Sequence, residues 1–176
     1  MQTLDVGCGA GRYVSKPCGN INLDINKPNR KITDFVQADA HHLPFQDNTF
    51  EIVYCFEVIE HVESPLKMIR EFHRVVKKDG TLVLSTPNAW YIRQLFQTFI
   101  RGEYKTTPDH IASFTNVTLK QLLEKVFAHV DVTFITLKRG DEKIFPHHTL
   151  YHIVSLITPF VFLKNRHLLA KAFKRK

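Results

Sequence analysis

The stretch Leu4-Asp5-Val6-Gly7-Cys8-Gly9-Ala10-Gly11-Arg12 constrains this chain more than any other. Leu4 and Val6 suit a short buried strand, and that strand runs directly into a turn with three glycines. Gly7, Gly9 and Gly11 let the backbone take φ > 0 and pass close to a ligand, which a Cβ would prevent. A helix starting at Gly11 or Arg12 would aim its unbonded N–H groups and its dipole at that ligand. Asp24 follows in Ile21-Asn22-Leu23-Asp24, at the end of a second expected strand. A carboxylate there can accept both hydroxyls of a ribose. The dinucleotide fingerprint Gly-x-Gly-x-x-Gly fails, because its sixth position is Arg12. A nucleotide-dependent oxidoreductase is therefore disfavoured.

The rest of the chain alternates between strand and helix patterns. Pro17 and Gly19 leave room for only a short helix before Ile21, and Asn26-Lys27-Pro28-Asn29-Arg30 is turn chemistry. Phe35–Ala38 reads as a third strand ending at Asp39, followed by a loop through His41-His42-Leu43-Pro44-Phe45. Phe50–Cys55 reads as a fourth. Ser64 and Pro65 mark the N-cap and first turn of a helix whose inner face is Leu66, Ile69, Phe72 and Val76, closed by Lys77, Lys78 and Gly80. Thr81–Ser85 is a fifth strand, stopped by Pro87. A helical stripe of Ile92, Leu95, Phe96, Phe99 and Ile100 follows. Thr115 or Asn116 caps the next helix, with Leu119, Leu122, Leu123, Val126 and Phe127 inward. Val130, Val132 and Phe134 alternate as a sixth strand, and the segment from Leu168 to Phe173 reads as the last. Such alternation gives a parallel sheet with right-handed crossovers. Ligands of these sheets bind at the carboxyl ends of the strands, where the glycine loop, Asp24, Asp39 and Cys55-Phe56-Glu57 all fall.

A length of 176 residues predicts one domain, 1–176, with a sizeable core. The net charge of +7 favours anionic partners without naming one. Three cysteines at unrelated spacings predict thiols and a reducing, cytoplasmic compartment. No secretory leader is visible, and no apolar run reaches the roughly 18 residues of a spanning helix.

Asp5-Val6-Gly7-Cys8-Gly9-Ala10-Gly11 resembles motif I of the class I S-adenosylmethionine (SAM) methyltransferases. Phe50 through Val62 looks like the fourth-strand motif of their type 11 (ubiquinone-pathway-like) family. Leu43-Pro44-Phe45, Arg74 through Gly80, Ser85-Thr86-Pro87-Asn88 and His110 through Leu123 fit the same group. The resemblance implies a Rossmann-like α/β fold, with a mostly parallel sheet, an antiparallel last strand and helices on both faces. It implies SAM as cofactor. Gly7, Gly9 and Gly11 would pass under its methionine part, with Asp5 helping to hold the ammonium group. Asp24 would take the ribose hydroxyls, Ile25 would pack on adenine, and Asp39 would face the adenine amine with Ala40 beside it. Cys55 would contact the methionine part through its backbone. The family's usual covering helices ahead of the first strand are missing from this sequence. Residues 88–116 and 145–166 are then the expected cover and acceptor-side segments.

Methyl transfer from a sulfonium needs alignment and dryness, and an oxygen acceptor must also lose its proton. Glu57, Glu60 and His61 stand at i, i+3 and i+4, which on a helix is one face. Such a set can hold a divalent cation. It looks like the Glu-x-x-Glu-His site of plant small-RNA 2′-O-methyltransferases and is similar to the ubiquinone-pathway motif. Both imply Mg2+ beside the acceptor, with His110 as a further ligand. Without a metal, His61 is the expected general base, with Glu60 beside it; the same residues can equally serve as helix-cap structure. The expected function is methyl transfer to an oxygen of a small-molecule or lipid-like acceptor. The alternatives are a SAM-binding module without turnover and an RNA 2′-O-methyltransferase, nucleic acid being the less favoured partner. The aromatic and basic stretches Trp90–Tyr104 and Phe160–Lys164 either pack on the domain or meet acceptor or lipid, as in peripheral contact with a membrane surface.

Overall fold

The computed structural model describes residues 1–9, 18–29, 31–91, 96, 98–100, 102, 108–135 and 166–175. Seven strands form one sheet: β1 (Thr3–Val6), β2 (Ile21–Asp24), β3 (Phe35–Gln37), β4 (Phe50–Phe56), β5 (Val76–Pro87), β6 (His129–Ile135) and β7 (His167–Phe173). Their spatial order is β3-β2-β1-β4-β5-β7-β6. The first five run parallel, and β7 lies antiparallel between β5 and β6. This is the expected sheet, including the antiparallel last strand.

Side chains alternate across a strand, so one face of the sheet gathers Leu4, Val6, Leu23, Val53, Cys55, Leu82, Leu84, Ala170 and Ala172. Helix α1 (Pro65–Val75) covers that face with Met68, Ile69, Phe72 and Val75, and helix α2 (Asn116–Glu124) does so with Leu119 and Leu123. Burying each such side chain contributes about 1.5–3 kcal/mol. The opposite face carries a smaller cluster of Val83, Ile135 and Leu169, with Ile52, Tyr54 and Phe56 packed against it.

Three local expectations are corrected. The inner stripe of α1 uses Met68 and Val75, whereas Leu66 is only half-buried and Val76 already belongs to β5. Ser64 sits at the N-cap, but its side chain makes no capping bond; its carbonyl accepts from the amides of Lys67 and Met68. Lys77, Lys78 and Gly80 do not close the helix. Between the pairs Phe50–Val76 and Ile52–Thr81 the chain bulges, with its left-handed residue at Asp79 (φ 63°). Gly80 is needed for space instead, since a Cβ there would lie 2.8 Å from Val76 Cγ1 and 2.9 Å from the Glu51 carbonyl. Lys174 caps the end of α1: its Nζ donates to the carbonyls of His73 (2.7 Å) and Val76 (3.0 Å) and to Asn48 Oδ1 (3.0 Å).

Thr115 caps α2 as expected, through a reciprocal box with Thr118. Of the stripe expected at 92–100, Phe96, Phe99 and Ile100 are exposed, Phe99 at 88%. Ile92, Leu95 and the apolar segment Leu150–Leu163 lie outside the described residues. No helix among the described residues is long and apolar enough to cross a membrane. Cys8, Cys18 and Cys55 form no disulfide.

Candidate active site

The carboxyl ends of β1, β2 and β3 make one half of the site. β1 ends in Gly7 at φ +79°, a region that only glycine enters readily. A Cβ on Gly7 would fall 2.2 Å from Val58 Cγ2, so the loop packs directly on the segment that follows β4. The amides of Gly7 and Cys8 both donate to the Leu23 carbonyl, at 2.8 and 3.1 Å. The Gly9 amide donates to Asp24 Oδ2 at 2.8 Å, and the Asn26 amide to Asp24 Oδ1 at 2.9 Å. Asp24 is thus fixed against the glycine loop, and each carboxylate oxygen keeps a second lone pair for an incoming hydroxyl. Beside it Ile25 is 62% exposed, an apolar surface with room for a flat ring.

β2 and β3 are joined at their ends by the Ala38 amide, which donates to the Asp24 carbonyl at 3.1 Å. Asp39 follows, its Oδ1 accepting from the amide and the Nδ1 of His41, both at 2.8 Å. The backbone bond first, and His41 with it, hold the Asp39 carboxyl below its ordinary value against the opposing effect of burial. Ala40 is half-buried against the core. Cys55 is fully buried between β1 and β5, and burial raises its thiol pKa well above the ordinary value. Asp5 is buried in the sheet, where its Oδ2 accepts from the Cys18 amide at 2.9 Å. Burial, then the Asp5 carboxylate, push the Cys18 thiol up to about 12. Gly11 lies outside the described residues.

The other half lies past β4. Glu57 takes a left-handed backbone (φ 55°) and ends the strand, and a short 3-10 turn, Ile59–His61, follows. The three candidate ligands therefore do not share a helical face. Glu57 turns to Ser85, whose Oγ donates to its Oε1 at 2.7 Å, and to His167, whose Nε2 lies 3.6 Å from its Oε2. Glu60, 1% exposed, accepts from Thr86 Oγ1 at 2.9 Å, and burial raises its pKa.

The Glu60 carbonyl accepts the amides of Ile111 and Ala112, at 2.8 and 3.1 Å, and so ties the polar loop ahead of α2 to the 3-10 turn. That tether brings His110 onto His61, edge to face, with ring centroids 4.7 Å apart. Burial, then His61, lower the His110 pKa. His61 Nδ1 lies 3.0 Å from the Asp109 carbonyl. A carbonyl only accepts, so Nδ1 carries a proton, and in the neutral ring the lone pair is at Nε2. That Nε2 lies 3.9 Å from Glu60 Oε1. Glu60, His61 and His110 each offer one ligating atom, all within 4.8 Å of one another. Glu57 is outside this group. Ser85, Thr86, Asp109 and His167 were not legible as site residues; Ser85-Thr86 at the end of an expected strand is the one signal that pointed to this rim.

Comparison with known proteins agrees with the geometry. The family model described as a methyltransferase domain matches residues 1–126. The chain belongs to this family, that of the SAM-dependent methyltransferases. A ubiquinone biosynthesis O-methyltransferase of Aliivibrio fischeri is 31% identical over 103 residues, 49% of this chain and 44% of that protein. Cycloartenol-C-24-methyltransferase 1 of Oryza sativa is 35% identical over 95 residues, 44% of this chain and 28% of that protein. The matches span less than half the length of these curated relatives. A solved SAM-dependent methyltransferase from Archaeoglobus fulgidus shares the fold, with a TM-score of 0.65, 21% identity, and coverage of 98% of this chain and 85% of that one.

Proposed function

We propose that this chain is a SAM-dependent methyltransferase acting on an oxygen of a small-molecule or lipid-like acceptor. One observation carries the reading. A pinned carboxylate, Asp24 on the Gly9 amide, and an imidazole with its tautomer set, His61 on the Asp109 carbonyl, stand at the same end of the sheet.

The residues present fit the cofactor. Gly7 and Gly9 bring backbone close to it, Asp24 meets the ribose hydroxyls, Ile25 and Ala40 flank adenine, and Asp39 faces its amine. Asp5 acts on the methionine end through the Cys18 segment, and Cys55 through its backbone; Gly11 would extend the loop. When bound, SAM supplies a methyl group on a positively charged sulfur, a leaving group that needs no protonation. The chain's own task is to align the acceptor, exclude water and take a proton. His61 Nε2 takes the acceptor proton, and the Glu60 carboxyl beside it balances the imidazolium that forms. The ubiquinone O-methyltransferase relative favours oxygen, and the sterol-pathway relative favours a lipid-like acceptor.

Exposed Trp90 and Ile111 suggest that 88–116 borders the acceptor, while 145–165 of the other expected cover, 145–166, lies outside the described residues; exposed Phe96, Phe99 and Ile100 suit a cytoplasmic protein that touches a membrane surface. A metal is a second reading, favoured by the close approach of Glu60, His61 and His110. Two imidazoles and one carboxylate fit a transition metal better than Mg2+, which prefers oxygen donors. The test is incubation with labelled SAM and pooled small-molecule, lipid and RNA fractions. Label should enter the small-molecule or lipid pool. Label in RNA would favour a 2′-O-methyltransferase, and SAM binding with no transfer would leave a binding module.

A further inference from the structure

We propose that three outward side chains of α1, Lys67, Glu71 and Arg74, fix the 39–47 loop and thereby set the affinity for the adenosyl end of the cofactor. The inference rests on the cofactor reading above.

β3 is three residues long, and no helix separates it from β4. The loop that carries Asp39 and Ala40 at the rim thus has no regular structure of its own. Residues 67, 71 and 74 stand at i, i+4 and i+7, one line along the helix beside its buried stripe. Arg74 uses all five of its N–H groups. Nε and one Nη2 proton go to Glu71 Oε1 and Oε2, at 2.9 and 2.8 Å. The others go to the carbonyls of Phe45 (2.7 Å) and Leu43 (2.9 Å) and to Asp47 Oδ1 (2.9 Å). Glu71 Oε2 also accepts the Leu43 amide at 2.8 Å. Lys67 Nζ lies 2.8 Å from His42 Nε2, and the His42 amide donates back to the Asp39 carbonyl at 2.9 Å.

The loop is therefore held at His42, Leu43, Phe45 and Asp47 from a single helix, and Asp39 is its next fixed point upstream. The side chains of Arg74 and Glu71 are only 30% and 20% exposed, so this two-pronged pair is partly desolvated and stronger than a surface ion pair. The pair also explains why Leu43-Pro44-Phe45 and Arg74-Val75 both stood out in the sequence: they are two sides of one contact. A loop ordered before binding spares the ligand the cost of ordering it. Lysine cannot stand in for Arg74, because one ammonium cannot reach two carbonyls and two carboxylates together.

Calorimetry with S-adenosylhomocysteine and with adenosine tests the proposal. Arg74→Lys and Arg74→Gln should both weaken binding roughly tenfold, the scale of one lost charged hydrogen bond. The KM for SAM should rise while kcat at saturation holds. Lys174→Met loosens the end of the same helix and reaches the loop only at its far end, through Asn48 and the charge of Asp47, so it should lower the melting temperature and leave affinity unchanged. Native affinity in both Arg74 variants, full rescue by lysine, or an equal loss in Lys174→Met would each overturn the proposal. Should the Arg74 variants not fold, hydrogen exchange on the native protein decides. The amides of His41, His42 and Leu43 should exchange far more slowly than exposed loop amides; free exchange there overturns the proposal. Failure of the native protein itself to bind S-adenosylhomocysteine sinks the cofactor reading instead.

Discussion

Glu57 Oε2 lies 3.6 Å from His167 Nε2, and both side chains are buried where β7 begins beside the end of β5. Burial, then the nearby Glu60, push the Glu57 carboxyl up to about 8. Burial, then Arg166, push the His167 imidazole down to about 4. Each group is thus favoured in its neutral form. The stability that Glu57 contributes is full below its ordinary pKa and is lost as pH rises toward 8. The contribution of His167 is full above its ordinary pKa and is lost as pH falls toward 4. Glu57→Gln stays neutral throughout, so its melting temperature should fall less than the native one between pH 5.5 and 8. His167→Gln should flatten the acid side below pH 6.5. Thermal melts across pH that run parallel for native and variant proteins would remove this account.

Gly7 is held by two separate constraints, and one pair of variants divides them. Gly7→Ala meets Val58 Cγ2 at 2.2 Å and also an unfavourable φ of +79°. Adding Val58→Ala removes the clash but not the backbone cost, which is about 1 kcal/mol. The single variant should unfold or lose several kcal/mol, and the double variant should recover all but that residue of strain. Chemical denaturation measures both. No recovery in the double variant would show that the backbone, not Val58, sets the requirement.

Asp24→Ala removes the acceptor for the Gly9 amide as well as the proposed ribose contact. Lost hydrogen bonds to a charged group cost roughly 1.5–3 kcal/mol, so SAM and its demethylated product should bind about 10- to 150-fold more weakly. Calorimetry reads this directly. Unchanged affinity would move the ribose away from Asp24.

The sheet was legible because its signals are local and redundant. Leu4–Val6, Ile21–Asp24 and Phe50–Cys55 are short stretches that place apolar residues beside polar ones at strand spacing, and each forms the expected strand. The glycine loop and Asp24 were legible for the same reason, since strand ends converge in any parallel sheet. The cluster past β4 was not. Its spacing fits a helix, but Glu57 adopts a left-handed backbone, so its carboxyl faces Ser85 and His167 and not the partners of Glu60. No period in the sequence announces a single left-handed residue, and none joins position 57 to position 167. The Arg74 clamp was hidden likewise, because it depends on which side chain spans the gap between a helix and a loop some thirty positions away.

A metal and a metal-free base at this cluster lead to different outcomes. Glu60, His61 and His110 converge within 4.8 Å, and Glu57 does not. If those three residues hold a cation beside the acceptor, a strong chelator should abolish turnover while SAM affinity holds, because the cofactor contacts lie on the glycine loop and Asp24. Glu60→Gln would then raise the metal requirement, and His110→Ala would do so more mildly, while Glu57→Gln would leave it unchanged. Restoration by Zn2+ or Mn2+ ahead of Mg2+ would fit two imidazole donors. If His61 is instead a base set by the Asp109 carbonyl, turnover should survive chelation, and His61→Ala should lower kcat by about 10²- to 10⁴-fold, the usual range for general-base catalysis. Full turnover in both the chelated enzyme and His61→Ala would reduce the cluster to a structural tether between the 3-10 turn and the loop ahead of α2. The preference for an oxygen acceptor would fall with it.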